Sequence, residues 1–368
     1  MTQYSINVYE PDLSGNEAKY LHECIESGWI SSRGKFVEQF ERVFEKFVGM
    51  PSTTVSNGTT ALHLALWALG IQSGDEVIVP SLTYIATANA VKYMGATPVF
   101  VDVDPYTWQI CPEAIARAIT KRTKAVLVVH LFGQACDMIK IQSLCDGNQL
   151  LLIEDCAEAL GTFVGDKHVG CFGRAATFSF FGNKTITTGE GGMVCMHDPM
   201  TMALAKKLKN QGVSATVEYW HEVIAHNFRM TNMQAALGCA QMENIDSTLE
   251  SKRKLHQIYK EKLLSQEVDF QKEYTGTSGS YWMNAILLKN RRTRDALRAH
   301  LKDSGIETRP MFPPIHKMPP YENGQKLEFT EFISDRGLML PSAPKSYQKN
   351  AAFVTQSAAA FFPTRRYI

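Results

Sequence analysis

No apolar stretch in this chain approaches the roughly 20 residues that a membrane-crossing helix requires, so a bilayer-spanning role is not expected. Charge excess is also lacking: 38 Lys+Arg stand against 37 Asp+Glu, a formal net charge of +1. That balance argues against a nucleic-acid partner or a polybasic membrane anchor, while leaving room for a local basic patch at a diphosphate. The N-terminal Met1-Thr2-Gln3-Tyr4-Ser5-Ile6-Asn7 shows neither the basic nor the apolar part of a secretion signal. Eight cysteines occur without any C-x-x-C spacing, and Cys156, Cys195 and Cys239 sit inside apolar runs. They read as reduced, buried small residues of a cytoplasmic protein, with neither a disulfide framework nor a metal site. No G-x-G-x-x-G follows an early strand, which disfavours a plain NAD-binding protein. Internal repeats, low-complexity tracts and disordered linkers are absent too.

What is present is an alternation of short apolar runs and amphipathic segments. Strands are expected at 76–79, 97–101, 125–129 and 150–153, with helices at 84–94, 112–119 and 138–145 between them. This βαβ rhythm predicts an α/β fold with a mostly parallel sheet covered by helices on both faces. At 368 residues the chain has room for one large domain, 1–245, and a smaller C-terminal α/β domain, 246–368. Near the start, 16–27 has helical spacing with Asn16 as a plausible cap. The segment 36–47 is amphipathic, with Phe40, Val43, Phe44 and Phe47 on one face. The charged helix expected at 246–264, which includes Lys252, Arg253 and Lys254, reads as a solvated face joining the two domains. Further on, a strand at 281–288 and a helix at 294–304 stopped by Gly305 precede a Pro-rich loop at 311–321 that holds His316.

Two segments carry the chemistry. Leu150-Leu151-Leu152-Ile153-Glu154-Asp155-Cys156-Ala157-Glu158-Ala159 is an apolar run ending in carboxylates, a buried strand that delivers Asp155 to its carboxyl end. The stretch from Thr177 to Met193 is a short strand, then Lys184 in a polar, Gly-rich turn, then another strand. A lysine in a turn is most often solvated surface, and an Asp after a strand most often a turn former. Together at strand ends they suit a pyridoxal phosphate site: the amine bonds the aldehyde, and the carboxylate keeps the pyridine nitrogen protonated. Earlier, Thr54-Val55-Ser56-Asn57-Gly58-Thr59 leads from a strand into a helix, and such an N-terminus is a cup for a phosphate.

With these segments in place, the chain resembles the DegT-type nucleotide-sugar aminotransferases, within the aspartate aminotransferase fold. The similarity runs from about Val8 to Pro341 and rests on Thr54 to Thr59, Ile153 to Ala159 and Phe178 to Gly192. It extends to Gly28-Trp29-Ile30-Ser31-Ser32-Arg33-Gly34, Tyr219-Trp220-His221, Tyr281-Trp282-Met283 and Thr308-Arg309-Pro310. The resemblance implies a transaminase using pyridoxal 5'-phosphate, which passes through pyridoxamine phosphate, with Lys184 and Asp155 as catalytic residues. It implies cofactor contacts from Asn57, Gly58, Thr59, Tyr84 over the ring, Glu158 near the 3'-oxygen and Ser179 at the phosphate. Asn227, in His226-Asn227-Phe228-Arg229-Met230, would reach the phosphate of a neighbouring subunit in a homodimer with shared active sites. Substrate contacts would come from Trp29, Ser31, Arg33, Arg309 and His316. Arg33, Arg229 and Arg309 all remain open as the group that binds the donor's carboxylate.

The branch most similar in wording aminates C4 of GDP-4-keto-6-deoxymannose, with L-glutamate as donor, to give GDP-perosamine for O-antigen or other surface glycans. A dTDP- or UDP-linked 4-keto-6-deoxyglucose is the alternative substrate. From a different class, the alternative is a non-catalytic cofactor-binding regulator. A dehydratase branch of the same fold has His where this chain has Lys184, and a histidine cannot make the covalent bond to the cofactor.

Overall fold

In the computed structural model, residues 4–264, 266–345 and 350–362 are described. Residues 1–3 of the N-terminal stretch read for a secretion signal lie outside them. The large sheet is built from β1 (Ser52–Val55), β2 (Glu76–Pro80), β3 (Thr97–Val101), β4 (Thr123–Val129), β5 (Leu151–Asp155), β8 (Ala175–Ser179) and β9 (Gly192–Met196). A small sheet takes β6 (Phe163–Val164), β7 (Lys167–His168) and β11 (Thr277–Ser278), the last arriving from the C-terminal part. The third sheet holds β10 (Val268–Phe270), β12 (Asn284–Leu288), β13 (Arg309–Pro310) and β14 (Gly337–Leu340).

The large sheet has the order β1-β9-β8-β5-β4-β2-β3, and only β9 runs against its neighbours. Its central strands are apolar on both sides because both faces are covered. Ile78, Val126, Val128 and Leu152 point to one face, under α5 (Pro112–Ala118) and α6 (Met138–Gly147). Val77, Val79, Leu127 and Ile153 point to the other, against α3 (Gly58–Ala68) and α4 (Ala86–Tyr93). This is the two-residue alternation of a strand turned into two cores. Beyond β8, Phe178 and Phe180 pack on Phe40 and Phe44 of α2 (Lys35–Val48), with α1 (Glu17–Ser27) and α8 (Asn232–Glu243) alongside. α7 (Pro199–Lys209) closes the β1/β9 edge.

α9 (Ile245–Leu263) carries the chain to the antiparallel sheet, which packs one face on α9, α10 (Arg291–Asp303) and the C-terminal α12 (Ala351–Phe361), with α11 (Glu328–Arg336) on its other side. The other face, with Trp282, Leu287 and Met339, meets Leu82, Trp108 and Phe132 from the large-sheet side. The turn that holds Lys184 lies against Trp282 of this face.

Several local expectations change. Asn16 does not cap α1 with its side chain; its amide donates instead to Glu243 Oε2 at 2.7 Å, a carboxylate being the stronger acceptor. The fully buried face of α2 is Phe36, Phe40, Phe44 and Val48, an i+4 row, with Val43 and Phe47 at its margin. α4 starts at Ala86, leaving Tyr84 outside the helix. β12 starts at Asn284, since Tyr281 has φ +48° and cannot continue a strand. The largest correction is Lys252, which is fully buried rather than solvated. It stands on the apolar stripe of α9, in line with Ile245, Leu249, His256, Tyr259 and Leu263.

Candidate active site

The parallel strands end on one edge of the large sheet, where open α/β folds place their ligands. Asp155 closes β5 beside Val129 of β4 and Thr177 of β8, so pairing alone brings the ends of three strands together. A cavity of about 600 Å³ opens above them, lined by Asn57, Gly58, Thr59, Tyr84, Thr87, Asp155, Glu158, Ser179, Lys184, Trp282, Arg309 and Phe312, among others.

Each wall has its own electrostatic character. At one end is the N-terminus of α3, where Asn57 Oδ1 accepts from Thr60 N at 2.9 Å and Thr60 Oγ1 accepts from Asn57 N at 3.2 Å. The capping box occupies the Asn57 side chain, and the amides of Gly58 and Thr59 come before the intrahelical ladder can reach them. They offer an anion two donors and the positive end of the helix. Gly58 also meets Ser179 closely: a Cβ there would lie 2.7 Å from Ser179 Cβ, which brings the serine hydroxyl to the same corner.

At the floor, Asp155 Oδ2 accepts from Thr87 Oγ1 at 2.9 Å and Oδ1 from Ala157 N at 3.1 Å. Burial raises its pKa despite those bonds and the positive charge of Lys184. A buried carboxylate in that condition fits a cationic N–H, the group that a protonated pyridine presents.

Lys184 is largely buried, its Nζ 3.9 Å from Glu158 Oε1 and 4.0 Å from the centre of the Trp282 ring. Burial lowers its pKa against the opposing pull of Glu158 and Asp155, which enlarges the share of neutral, nucleophilic amine. Burial likewise pushes the Glu158 carboxyl up to about 7, against the pull of Lys184. Glu158 Oε2 is held by Phe132 N at 2.9 Å. An anion cup, a carboxylate floor and a nucleophilic amine around one cavity match the phosphate, ring nitrogen and aldehyde of pyridoxal phosphate in number and kind.

The other expected residues divide. Tyr84 is 59% exposed at the cavity rim, its ring 6.2 Å from that of Phe312. Arg309 lines the cavity, paired with Glu307 at 3.1 Å. Trp29 and Arg33 do not join it: Gly28, at φ +73°, ends α1 and turns the loop outward, so that both line a separate open cleft with Glu23 and Lys35. Ser31 is exposed, its carbonyl accepting from Asn232 N. Asn227 is exposed, pairs by backbone with Asn210 and is not among the residues lining its own chain's Lys184 cavity. Arg229 is spent on Ser32 Oγ at 3.1 Å and Asn210 Oδ1 at 2.8 Å.

His316 is a correction. It is buried, with Nδ1 2.7 Å from Ser81 Oγ and Nε2 3.2 Å from Glu331 Oε1, so both ring nitrogens are engaged outside the cavity. Three neighbours of the expected site residues were not singled out as site residues in the sequence. Thr87 had a signal, lying three residues after Tyr84 at a helix start. Trp282 was visible only as part of a motif, and Tyr9, whose hydroxyl donates to the Lys184 carbonyl, had none.

Among the described residues one trio of ligand-type side chains comes close enough to hold a metal: His130, Glu154 and Cys156. His130 Nδ1 accepts from Cys136 N, which puts its proton on Nε2, facing Glu154 Oε2. Glu154 also accepts from the amides of Gly170, Phe172 and Gly173, so its four lone-pair positions are filled by protein donors. This is a satisfied buried support for the strand end that carries Asp155.

Known proteins with the same features bear on this geometry. The model of the DegT/DnrJ/EryC1/StrS aminotransferase family matches residues 11–358. The chain is 50% identical over 345 residues to GDP-perosamine synthase of Vibrio cholerae, covering 92% of this chain and 94% of that protein. It is 49% identical over 359 residues to GDP-perosamine synthase of Escherichia coli O157:H7, covering 97% and 98%. Among solved structures, the aminotransferase TlmJ from Streptoalloteichus hindustanus superposes with a TM-score of 0.92 at 29% identity, covering 97% of this chain and 98% of that one. The family match over residues 11–358 and the identity along almost the whole chain make this protein a member of the DegT/DnrJ/EryC1/StrS family of pyridoxal phosphate-dependent sugar aminotransferases.

Proposed function

We propose that this chain moves the amino group of L-glutamate to C4 of GDP-4-keto-6-deoxymannose, giving GDP-perosamine for O-antigen or another surface glycan. The observation that carries the chemistry is the meeting of Lys184, Asp155, Glu158 and the α3 N-terminus in one cavity. The substrate choice is supported by the level and reach of identity to two proteins named for that reaction.

When bound, pyridoxal phosphate supplies an aldehyde for amine exchange and a ring that accepts the electrons of a broken C–H bond. The amides of Gly58 and Thr59 and the hydroxyl of Ser179 would hold its phosphate. Asp155, fixed by Thr87 and Ala157, would keep positive charge at the ring nitrogen, Tyr84 would cover the ring and Glu158 would face the 3'-oxygen. Lys184 would be the amine that holds the cofactor, and when free it would carry a proton, from the donor's Cα in the first half of the cycle and to C4 of the sugar in the second. Arg309, which lines the cavity, would meet an anionic group of either substrate.

The test is to give the pure enzyme glutamate, then the GDP-linked manno keto-sugar and the dTDP- and UDP-linked gluco keto-sugars, and follow products by mass spectrometry and rate. The expected outcome is 2-oxoglutarate in the first step and the highest kcat/KM for the GDP-linked substrate. A higher value for a gluco substrate would replace the sugar assignment alone. Failure to form 2-oxoglutarate would instead favour a regulatory cofactor-binding protein.

The working unit is proposed to be a homodimer with shared active sites, and a cytoplasmic location suits its nucleotide-linked substrate and free cysteines. In support, Asn227, Trp29 and Arg33 do not line their own chain's cavity, and Tyr219 and Ile224 of the segment before Asn227 are 92% and 91% exposed. Mixing Lys184→Ala chains with chains inactivated at Asn227 by a bulky acidic replacement should restore activity toward one competent site per mixed dimer. One site then carries both defects and the other neither. Mixed dimers that form without recovering activity would place Asn227 within its own chain's site or outside any site.

A further inference from the structure

Lys252 is a buried amine with no carboxylate beside it among the described residues. Its Nζ donates to the Trp282 carbonyl at 3.1 Å and to the Ser342 carbonyl at 2.8 Å, and stands 5.0 Å from the centre of the Tyr9 ring. Two carbonyls and one aromatic face match the three N–H groups of an ammonium. Burial nonetheless lowers its pKa to about 7, so the site carries a large desolvation cost that a methionine or leucine on the same stripe would avoid. The arrangement calls for a compensating role.

What Lys252 grips leads to the reactive turn. Trp282, held by its carbonyl, donates from Nε1 to the Asn183 carbonyl at 2.6 Å and lays its ring 4.0 Å from Lys184 Nζ. Tyr9, whose ring lies under the Lys252 amine, donates its hydroxyl to the Lys184 carbonyl. The third contact, Ser342, is tied to the same arm, since Ser342 N donates to the Val8 carbonyl at 2.8 Å. Two successive peptide carbonyls, at Asn183 and Lys184, are thus clamped by two side chains that both rest on Lys252. We infer that Lys252 is a positioning residue: it braces Trp282 and Tyr9 so that the Lys184 amine is aimed into the cavity, linking the antiparallel sheet to the reactive turn. The inference rests on Lys184 being the reactive amine.

The reason to expect a kinetic effect is geometric. A reacting amine displaced by about 1 Å loses on the order of tenfold to a hundredfold in rate. Lys252→Met keeps length and apolar volume but removes the donors. Lys252→Gln, which keeps a shorter donor, serves where the methionine variant does not accumulate as folded protein. Tyr9→Phe removes only the bond to the Lys184 carbonyl. Arg253→Met, which frees the carbonyls of Gly279 and Gly161, is the control for loss of carbonyl contacts on the same helix.

Two quantities are read. One is the rate at which full-length apoprotein captures pyridoxal phosphate covalently, scored by borohydride fixation and peptide mass. The other is the single-turnover rate with glutamate. For Lys252→Met both should fall by about tenfold, with the glutamate concentration for half-maximal rate within about twofold of the parent. Tyr9→Phe should give the same kind of defect, and the double variant should be no worse than the weaker single by more than about twofold, because both act through one brace. Arg253→Met should lower melting temperature and leave both rates unchanged. Equal capture rates in Lys252→Met and parent, multiplicative single effects, or an equal slowing by Arg253→Met would each overturn the brace. Fixation of the parent's cofactor to a peptide other than that of Lys184 would instead overturn the reading on which it rests.

Discussion

Lys184→Ala should abolish turnover, by on the order of 10⁴-fold or more, because one side chain serves as both covalent anchor and proton carrier. Borohydride should no longer fix the cofactor to the chain, although the phosphate cup at α3 and the Asp155 floor are untouched and should still take it up. Folding should not suffer. The amine's removal relieves its own cost of burial but leaves Glu158 and Asp155 without its opposing charge, so the two effects oppose and the melting temperature of the apoprotein should change little. Turnover within about tenfold of the parent, measured on protein shown by mass to carry the alanine, would remove Lys184 from the mechanism.

Asp155→Asn should reduce turnover on the order of 10³-fold while leaving covalent capture of the cofactor in place. The substitution is nearly isosteric. Asn Oδ1 can still accept from Ala157 N, and the Thr87 hydroxyl can turn to accept from the new amide, so the floor keeps its shape and loses its charge. Without that charge the ring nitrogen sheds its proton, and the electrons of the broken C–H bond lose their sink. A rate within about tenfold of the parent, equivalent to about 1.4 kcal/mol, would show that the carboxylate does not perform this task. Cofactor retention, measured separately by absorbance after gel filtration, distinguishes slow chemistry from an empty site.

Much of this site was legible in one dimension because its parts are local. Asp155 ends an apolar strand, Lys184 sits in a Gly-rich turn between two strands, and Asn57-Gly58-Thr59 opens a helix. Each role is carried by a few consecutive residues whose backbone conformation follows from their own types. The βαβ alternation likewise predicts the parallel pairing that gathers those local pieces on one edge. Where the reading failed, the controlling interaction was distant in sequence. His316 was placed near the substrate by its loop, yet its ring is taken up by Ser81, 235 residues away, and by Glu331. Asn16 looked like a cap and is claimed by Glu243.

Lys252 marks the boundary most clearly. The run of charges around it suggested a wet helix face, whereas its spacing from Ile245, Leu249, His256, Tyr259 and Leu263 put it on the buried stripe. Composition and period gave opposite answers, and only the packing of α9 on the antiparallel sheet decided between them. The sequence by itself therefore determined the fold class and the placing of Asp155 at a strand end, Lys184 in a turn and Asn57 at a helix start, since local backbone preference and hydrophobic period suffice for those. Tertiary structure alone decided which polar side chains meet, because a hydrogen bond is won by whichever donor or acceptor folding brings within about 3 Å, and chain separation carries no record of that.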